Sequence, residues 1–177
     1  GPLHLGSIAT AVASYVRARQ KNGKWLLRID DIDSEREMKG AVDSILRTLD
    51  SLTLNWDGRV TYQSKNLSTY EEAIDVLESL DKTYRCRCTR RQLPKGPYPG
   101  NCRNLVGRSV ESAATRLTVE NSVIEVKDLL QGSVLENLTK TYGDFLIRRK
   151  DGKPSYQLAV VVDDNNASVT EIVRGTD

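Results

Sequence analysis

Residues 1–33 read GPLHLGSIATAVASYVRARQKNGKWLLRIDDID. Four features follow one another there: a glycine-bearing turn, a helical stripe, a short apolar strand and an acidic turn. Ser7 to Lys21 is expected to be a helix with Ser7 as its N-cap. Ile8, Val12, Tyr15 and Val16 form its apolar face, and Asn22-Gly23 ends it. Trp25 to Ile29 (WLLRI) is expected to be a strand buried on both faces. A helix leading into a buried strand is the opening of an α/β layer.

Beyond this stretch the helical period continues. A second helix is expected from about Glu37 to Leu52, with Val42, Ile45, Leu46 and Leu49 on one face. A third is expected from about Thr69 to Leu80, with Tyr70, Ala73, Ile74, Val76 and Leu77 on one face. Thr83 to Gly107 is rich in Arg, Cys, Pro and Gly and reads as irregular. Short β-prone runs then recur between Ala113 and Ile147, separated by Asn, Gly and Asp turn signals. Tyr156 to Val162 is apolar, with Leu158 to Val162 reading as a strand or a buried helix turn. Val169 to Val173 reads as a final strand ended by Arg174-Gly175. The expected organisation is an α/β core in two parts, residues 1–82 and 146–177, interrupted by an α+β insertion at 83–145.

The chain has 177 residues, of which 38% are hydrophobic and 28% charged, with a mean hydropathy of -0.46. An intrinsically disordered chain would carry fewer Leu, Ile and Val. No apolar run approaches the roughly 18 residues of a membrane helix, and the start lacks the pattern of an export signal. A cytoplasmic protein without membrane attachment is expected. The net charge of +2 identifies no partner, but its distribution is uneven. Residues 85–108 hold Arg85, Arg87, Arg90, Arg91, Lys95, Arg103 and Arg108 and no acidic residue, which leaves 19 basic against 24 acidic residues elsewhere. Such a segment suits a polyanion, or is simply a solvated loop. All three cysteines lie in it as well, too few and too clustered for a disulfide scaffold.

Four groups of residues can carry chemistry. In Gly1-Pro2-Leu3-His4-Leu5-Gly6-Ser7, a turn opens a helix whose free N–H groups and dipole favour phosphate. His4, the single histidine, can donate to a phosphate oxygen; the plain alternative is a histidine at a helix start with no ligand. Arg28-Ile29-Asp30-Asp31-Ile32-Asp33 lies at a strand's carboxyl end, where open α/β sheets bind ligands. Its carboxylates suit a cationic group, or merely cap the next helix. Cys86-Arg87-Cys88 with Cys102 offers three thiolates to zinc, and the Tyr98 oxygen can complete a tetrahedron; three unrelated buried thiols are the alternative. Arg174 can grip a carboxylate with its fork and Tyr156 can offer a hydroxyl, although both residue types are more often structural.

The order of these motifs is recognisable. GPLHLGS, RIDDID, CRC…Y…C, YQLAVVVDD and TEIVRGTD together resemble the catalytic domain of the class I glutamyl-tRNA synthetases over essentially the whole chain. Ser7, where the long synthetases carry a second histidine, and the Cys-x-Cys…Tyr…Cys pattern resemble the branch that glutamylates queuosine in tRNA(Asp). This resemblance implies a Rossmann-like core split by a zinc-bearing insertion. It implies an enzyme that makes glutamyl-adenylate from ATP and L-glutamate and passes the glutamyl group to queuosine at the wobble position of tRNA(Asp). Gly1, Pro2, Leu3, His4, Leu5, Gly6 and Ser7 would form the ATP site, with His4, Gly6 and Ser7 in the catalytic motif. Asp30, Tyr156 and Arg174 would bind glutamate. One structural zinc would be held by Cys86, Cys88, Tyr98 and Cys102, and magnesium would accompany ATP. A monomer is expected.

The chain departs from the family in three places. Asp30 stands where the family has glutamate, one methylene longer. The Arg-x-Ala-x-Ser strand that precedes the first motif and the KMSKS-like lysine loop are both missing from the sequence. A fragment of a longer protein, nearly inert alone, is therefore expected. The alternatives are a piece of an ordinary glutamyl-tRNA synthetase and a non-catalytic, zinc-stabilised RNA-binding fragment.

Overall fold

The computed structural model describes residues 2–33, 38–104 and 113–175. The chain divides into two compact units, Gly1–Leu67 with Asp163–Asp177, and Ser68–Val162.

The first unit is built on a helix–strand–helix order. Helix α1 spans Leu5–Gln20 and is capped by His4, not by Ser7 as the sequence suggests. The imidazole reaches the first-turn N–H of Ser7 from outside the helix, so the N-terminus lies earlier in the chain than expected. Val12 and Val16 of the expected apolar face stay 40% and 47% exposed. The face is held at Tyr15, whose ring meets Trp25 edge-on at 5.4 Å, while Trp25 Nε1 donates to Ser14 at 2.9 Å. Strand β1 covers only Arg28–Ile29 and pairs in parallel with β2, Thr61–Tyr62. The rest of the expected strand is still tied to the same neighbour, because Trp25 O and Leu27 O accept from Asp57 and Thr61.

Helix α2, Ala41–Ser51, starts after Gly40, whose positive φ of 76° breaks the helical path. The expected start at Glu37 lies outside the described residues. Ala41, Leu49, Leu54 and Ile29 form the buried centre of this unit.

Helix α3, Leu67–Ser79, carries the chain into the second unit and buries Tyr70 and Ile74 completely. The expected irregular stretch in fact opens with strand β3, Thr83–Cys86, paired antiparallel with β4, Ala114–Leu117. Its partner lies some thirty residues away, which is why no local pattern announces it. Between β4 and the last strand of the unit lie an exposed hairpin of β5, Val123–Asp128, and β6, Gly132–Asn137, and the single-turn helix α4, Leu138–Thr141. Strand β7, Leu146–Arg148, then completes a three-stranded sheet in the order β3-β4-β7. The buried centre includes Thr115, Ile147 and Asp144.

Helix α5, Tyr156–Asn166, resolves the ambiguity of the apolar run in favour of helix. The final strand at Val169–Val173 does not form. Among the described residues this segment has no ladder partner, and a β-prone sequence without one gains no strand hydrogen bonds. It is held instead by a turn from Val169 N to Asp164 O and by the ion pair of Arg17 with Glu171.

Candidate functional site

The helix start in the first unit is organised by His4. Its Nδ1 accepts from Ser7 N at 3.3 Å, which places the proton of the neutral ring on Nε2. A Cβ at position 6 would lie 3.1 Å from His4 Cε1 and 3.2 Å from Nδ1, so Gly6 gives the ring its place. His4 is exposed, and Nε2–H is a donor beside the positive end of α1.

The acidic turn lies on an open cleft of about 430 Å³ in the same unit, within the usual range of ligand sites. Asp30, Asp31 and Asp33 line it together with apolar walls that include Trp25, Leu27 and Ile45. Leu3 also reaches the cleft; Pro2, His4, Gly6, Ser7 and Arg174 are not among its lining residues. The carboxylates are not equivalent. Asp31 accepts the backbone N–H of Ser64 at 2.8 Å and its hydroxyl at 2.6 Å. Asp30 Oδ1 accepts from Arg28 Nε at 2.8 Å.

Arg28 is the centre of this arrangement. Its Nη1 donates to Asp164 at 2.6 Å, and its Nε lies 3.6 Å from Asp163, which also accepts from Gln63 and Asn66. Burial works against the Arg28 charge, yet the bonds to Asp30 and Asp164 outweigh it and raise its pKa. The sequence reading does not single out Arg28, although it opens the RIDDID motif. Arg174 is exposed. Tyr156, in the other unit, is exposed on the first turn of α5.

In the second unit the four expected metal donors converge. The three cysteine sulfurs all lie within 4.8 Å of one another, and Cys88 Sγ is 3.6 Å from Cys102 Sγ. The Tyr98 hydroxyl is 3.2 Å from Cys88 Sγ and 3.6 Å from Cys86 Sγ. A tetrahedron with Zn–S bonds of about 2.3 Å has edges of about 3.8 Å. The donor set therefore fits zinc in both geometry and chemistry.

Backbone constraints place these donors. Cys86 is fixed as the last residue of β3, opposite Ala114. Tyr98 forms a parallel bridge with Gly143, where a Cβ would lie 2.5 Å from Tyr98 O and 2.6 Å from Tyr98 N. Only glycine, here at a φ of +62°, permits that approach. Burial pushes the Cys86 thiol up, but bonding from Arg116 and Tyr98 more than reverses this and brings it down to about 7. At Cys88 the Tyr98 bond lowers the pKa, but burial and the neighbouring cysteines outweigh it and the thiol is raised.

Over residues 1–177 the chain matches the family described as tRNA synthetases class I (E and Q), catalytic domain. The chain belongs to that family. A protein named glutamyl-Q tRNA(Asp) synthetase from Photobacterium profundum is 47% identical over 179 residues, covering all of this synthetase domain and 57% of its own length. One of the same name from Chromobacterium violaceum is 44% identical over 185 residues, with 62% of its length covered. This domain thus spans about three-fifths of the length of these curated relatives. The crystal structure of a glutamate tRNA ligase from Elizabethkingia meningosepticum, in complex with its amino acid, superposes with a TM-score of 0.83 at 22% identity. That match covers 96% of this domain and 40% of the ligase chain, and it establishes the α/β synthetase fold. Among the described residues, no helix is long and apolar enough to cross a membrane.

Proposed function

We propose that this domain activates L-glutamate with ATP and passes the glutamyl group to queuosine in the anticodon of tRNA(Asp). The observation that carries this reading is the 43–47% identity, over the whole chain, to proteins named for that reaction. The thiol cluster supports it. We assign one structural zinc to Cys86, Cys88, Cys102 and Tyr98; when bound, it supplies a cross-link that holds the loop from Cys86 to Cys102. On this reading residues 83–145 are the zinc-bearing insertion between core segments 1–82 and 146–177. The protein acts in the cytoplasm as a monomer.

Each core residue has a role that follows from its charge and donors. His4 Nε2–H and the N-terminus of α1 bind ATP phosphate oxygens, with Gly6 and Ser7 keeping that end open and Pro2, Leu3 and Leu5 framing it. Gly1, in the same motif, lies outside the described residues. Magnesium accompanies ATP and supplies charge neutralisation at its phosphates. Asp30, oriented by Arg28, takes the α-ammonium group of glutamate. Arg174 holds one substrate carboxylate, and the resemblance adds the Tyr156 hydroxyl to the glutamate contacts. An oxygen of the α-carboxylate attacks the α-phosphorus of ATP; the P–O bond to the β-phosphate breaks, and pyrophosphate leaves. The catalytic contribution is positioning together with stabilisation of developing charge.

Glutamate-dependent ATP–pyrophosphate exchange tests the pocket in the gene product that carries these residues. Arg174→Ala is expected to raise the KM for glutamate by about 10-fold or more and that for ATP by under about threefold, because it removes a charge-assisted carboxylate contact. Asp30→Glu is expected to keep or improve activity. Equal loss toward both substrates would make Arg174 structural.

A further inference from the structure

Among the described residues, Arg116 is a buried cation without a carboxylate partner. Its side chain is 5% exposed, on strand β4. The nearby acidic group, Asp144, is already engaged: its carboxylate accepts from Arg103 through two nitrogens, from the Tyr84 hydroxyl and from Val119 N. Of Asp144, Arg116 reaches only the backbone oxygen, at 2.5 Å. It forms no ion pair among the described residues, and its Nε has no hydrogen-bond partner. A guanidinium taken out of water in this way calls for a negative neighbour, since an uncompensated buried charge is strongly destabilising.

The thiol cluster supplies that neighbour. Tyr84 and Arg116 are directly opposite in the β3–β4 ladder, so Cys86 is the diagonal neighbour of Arg116 on the same face. The guanidinium also lies over the Tyr98 ring, with its central carbon 3.9 Å from the ring centroid. Arg116 therefore acts on two of the four donors. The charge arithmetic agrees. Three thiolates around a divalent cation leave one excess negative charge, or two if Tyr98 is ionised. One fixed cation beside this largely buried centre offsets the excess where screening by water is weak.

We propose that Arg116 is the built-in counter-charge of the metal centre, a positioning residue that sets how tightly the Cys86, Cys88, Tyr98 and Cys102 cluster holds zinc. It does so by its charge, held beside Cys86 in the ladder and over the Tyr98 ring. This inference rests on the zinc assignment above.

Zinc affinity, measured by competition with a chromophoric chelator under reducing conditions, separates the two claims. Wild-type chain that takes up no zinc defeats the zinc assignment itself. If wild type binds, Arg116→Met, which keeps an unbranched apolar stem but no charge, is expected to weaken zinc by about 10- to 100-fold, the usual effect of losing an outer partner of a metal ligand. Arg116→Lys, which keeps the charge, is expected to remain within about threefold of wild type. Far-UV circular dichroism reports whether each variant is folded. Arg116→Met binding zinc like wild type would overturn the proposal, and so would Arg116→Lys losing about 10-fold or more. The lysine comparison decides alone if Arg116→Met does not fold.

Discussion

His4 shows how one residue serves two structures at once. The sequence places a lone histidine beside a glycine turn, but the choice of cap depends on a torsion that no residue pattern encodes. Ser7 is the better N-cap by type; the imidazole prevails because Gly6 leaves room for it. The substitution Gly6→Ala tests this balance. Alanine favours a helix over glycine by about 1 kcal/mol, while losing a cap costs about the same. Thermal stability should therefore change little, by less than about 1 kcal/mol. The ring, however, must shift from its 3.1 Å contact, and the KM for ATP is expected to rise severalfold in pyrophosphate exchange. An unchanged KM would show that the His4 position does not matter to the nucleotide. Arg28 teaches the complementary lesson. Its motif and acidic neighbours are legible in the sequence, yet its partners Asp163 and Asp164 lie far along the chain and only folding reveals the cage.

Among the elements, those with a strong local period are legible. Helices α1, α2 and α3 lie where their apolar stripes put them, within a few residues. Strand β3 escapes the sequence reading because its ladder is supplied by β4, beyond the cysteine loop. The segment at Val169–Val173 misleads for the converse reason, since its valines promise a strand that finds no partner. The cysteine loop is legible as chemistry but not as structure: nothing in its sequence shows that Asp144 underpins it. That carboxyl is fully buried, with Arg103, Tyr84 and Val119 as donors. Burial alone would raise its pKa, but Arg103, Tyr84 and the Val119 amide hold it below the usual carboxylate value. A depressed native pKa gives stability that is complete above the unfolded value of about 3.9 and is lost as pH falls through the native one. Asp144→Asn should therefore destabilise the chain most at neutral pH, by about 3 kcal/mol. The gap from wild type should begin to narrow at about pH 4 and close as pH falls through the depressed native pKa. Urea denaturation at neutral pH and again below about pH 4 measures both. A pH-independent gap would mean that charge is not what Asp144 contributes.

On the scale of the whole molecule, composition excludes a membrane helix and a disulfide scaffold, and the order of motifs indicates the synthetase family. What composition cannot give is the division of the chain, because each compact unit is closed by contacts distant in sequence. The proposed zinc centre joins the scales of residue and molecule. Purified under reducing conditions without chelator, the chain is expected to carry about one zinc. Cys88→Ser should release it and lower the melting temperature. Metal analysis that finds no zinc in the wild-type chain would remove the centre from this account.

The central claim is the destination of the glutamyl group. The measurement is transfer of labelled glutamate by the gene product containing these residues, with ATP, to tRNA(Asp) and tRNA(Glu), each with and without queuosine where the tRNA can carry it. The account predicts label on queuosine-containing tRNA(Asp) alone, stable to removal of the tRNA 3′ end. Label at the 3′ end of tRNA(Glu) would contradict it and make the protein an ordinary glutamyl-tRNA synthetase.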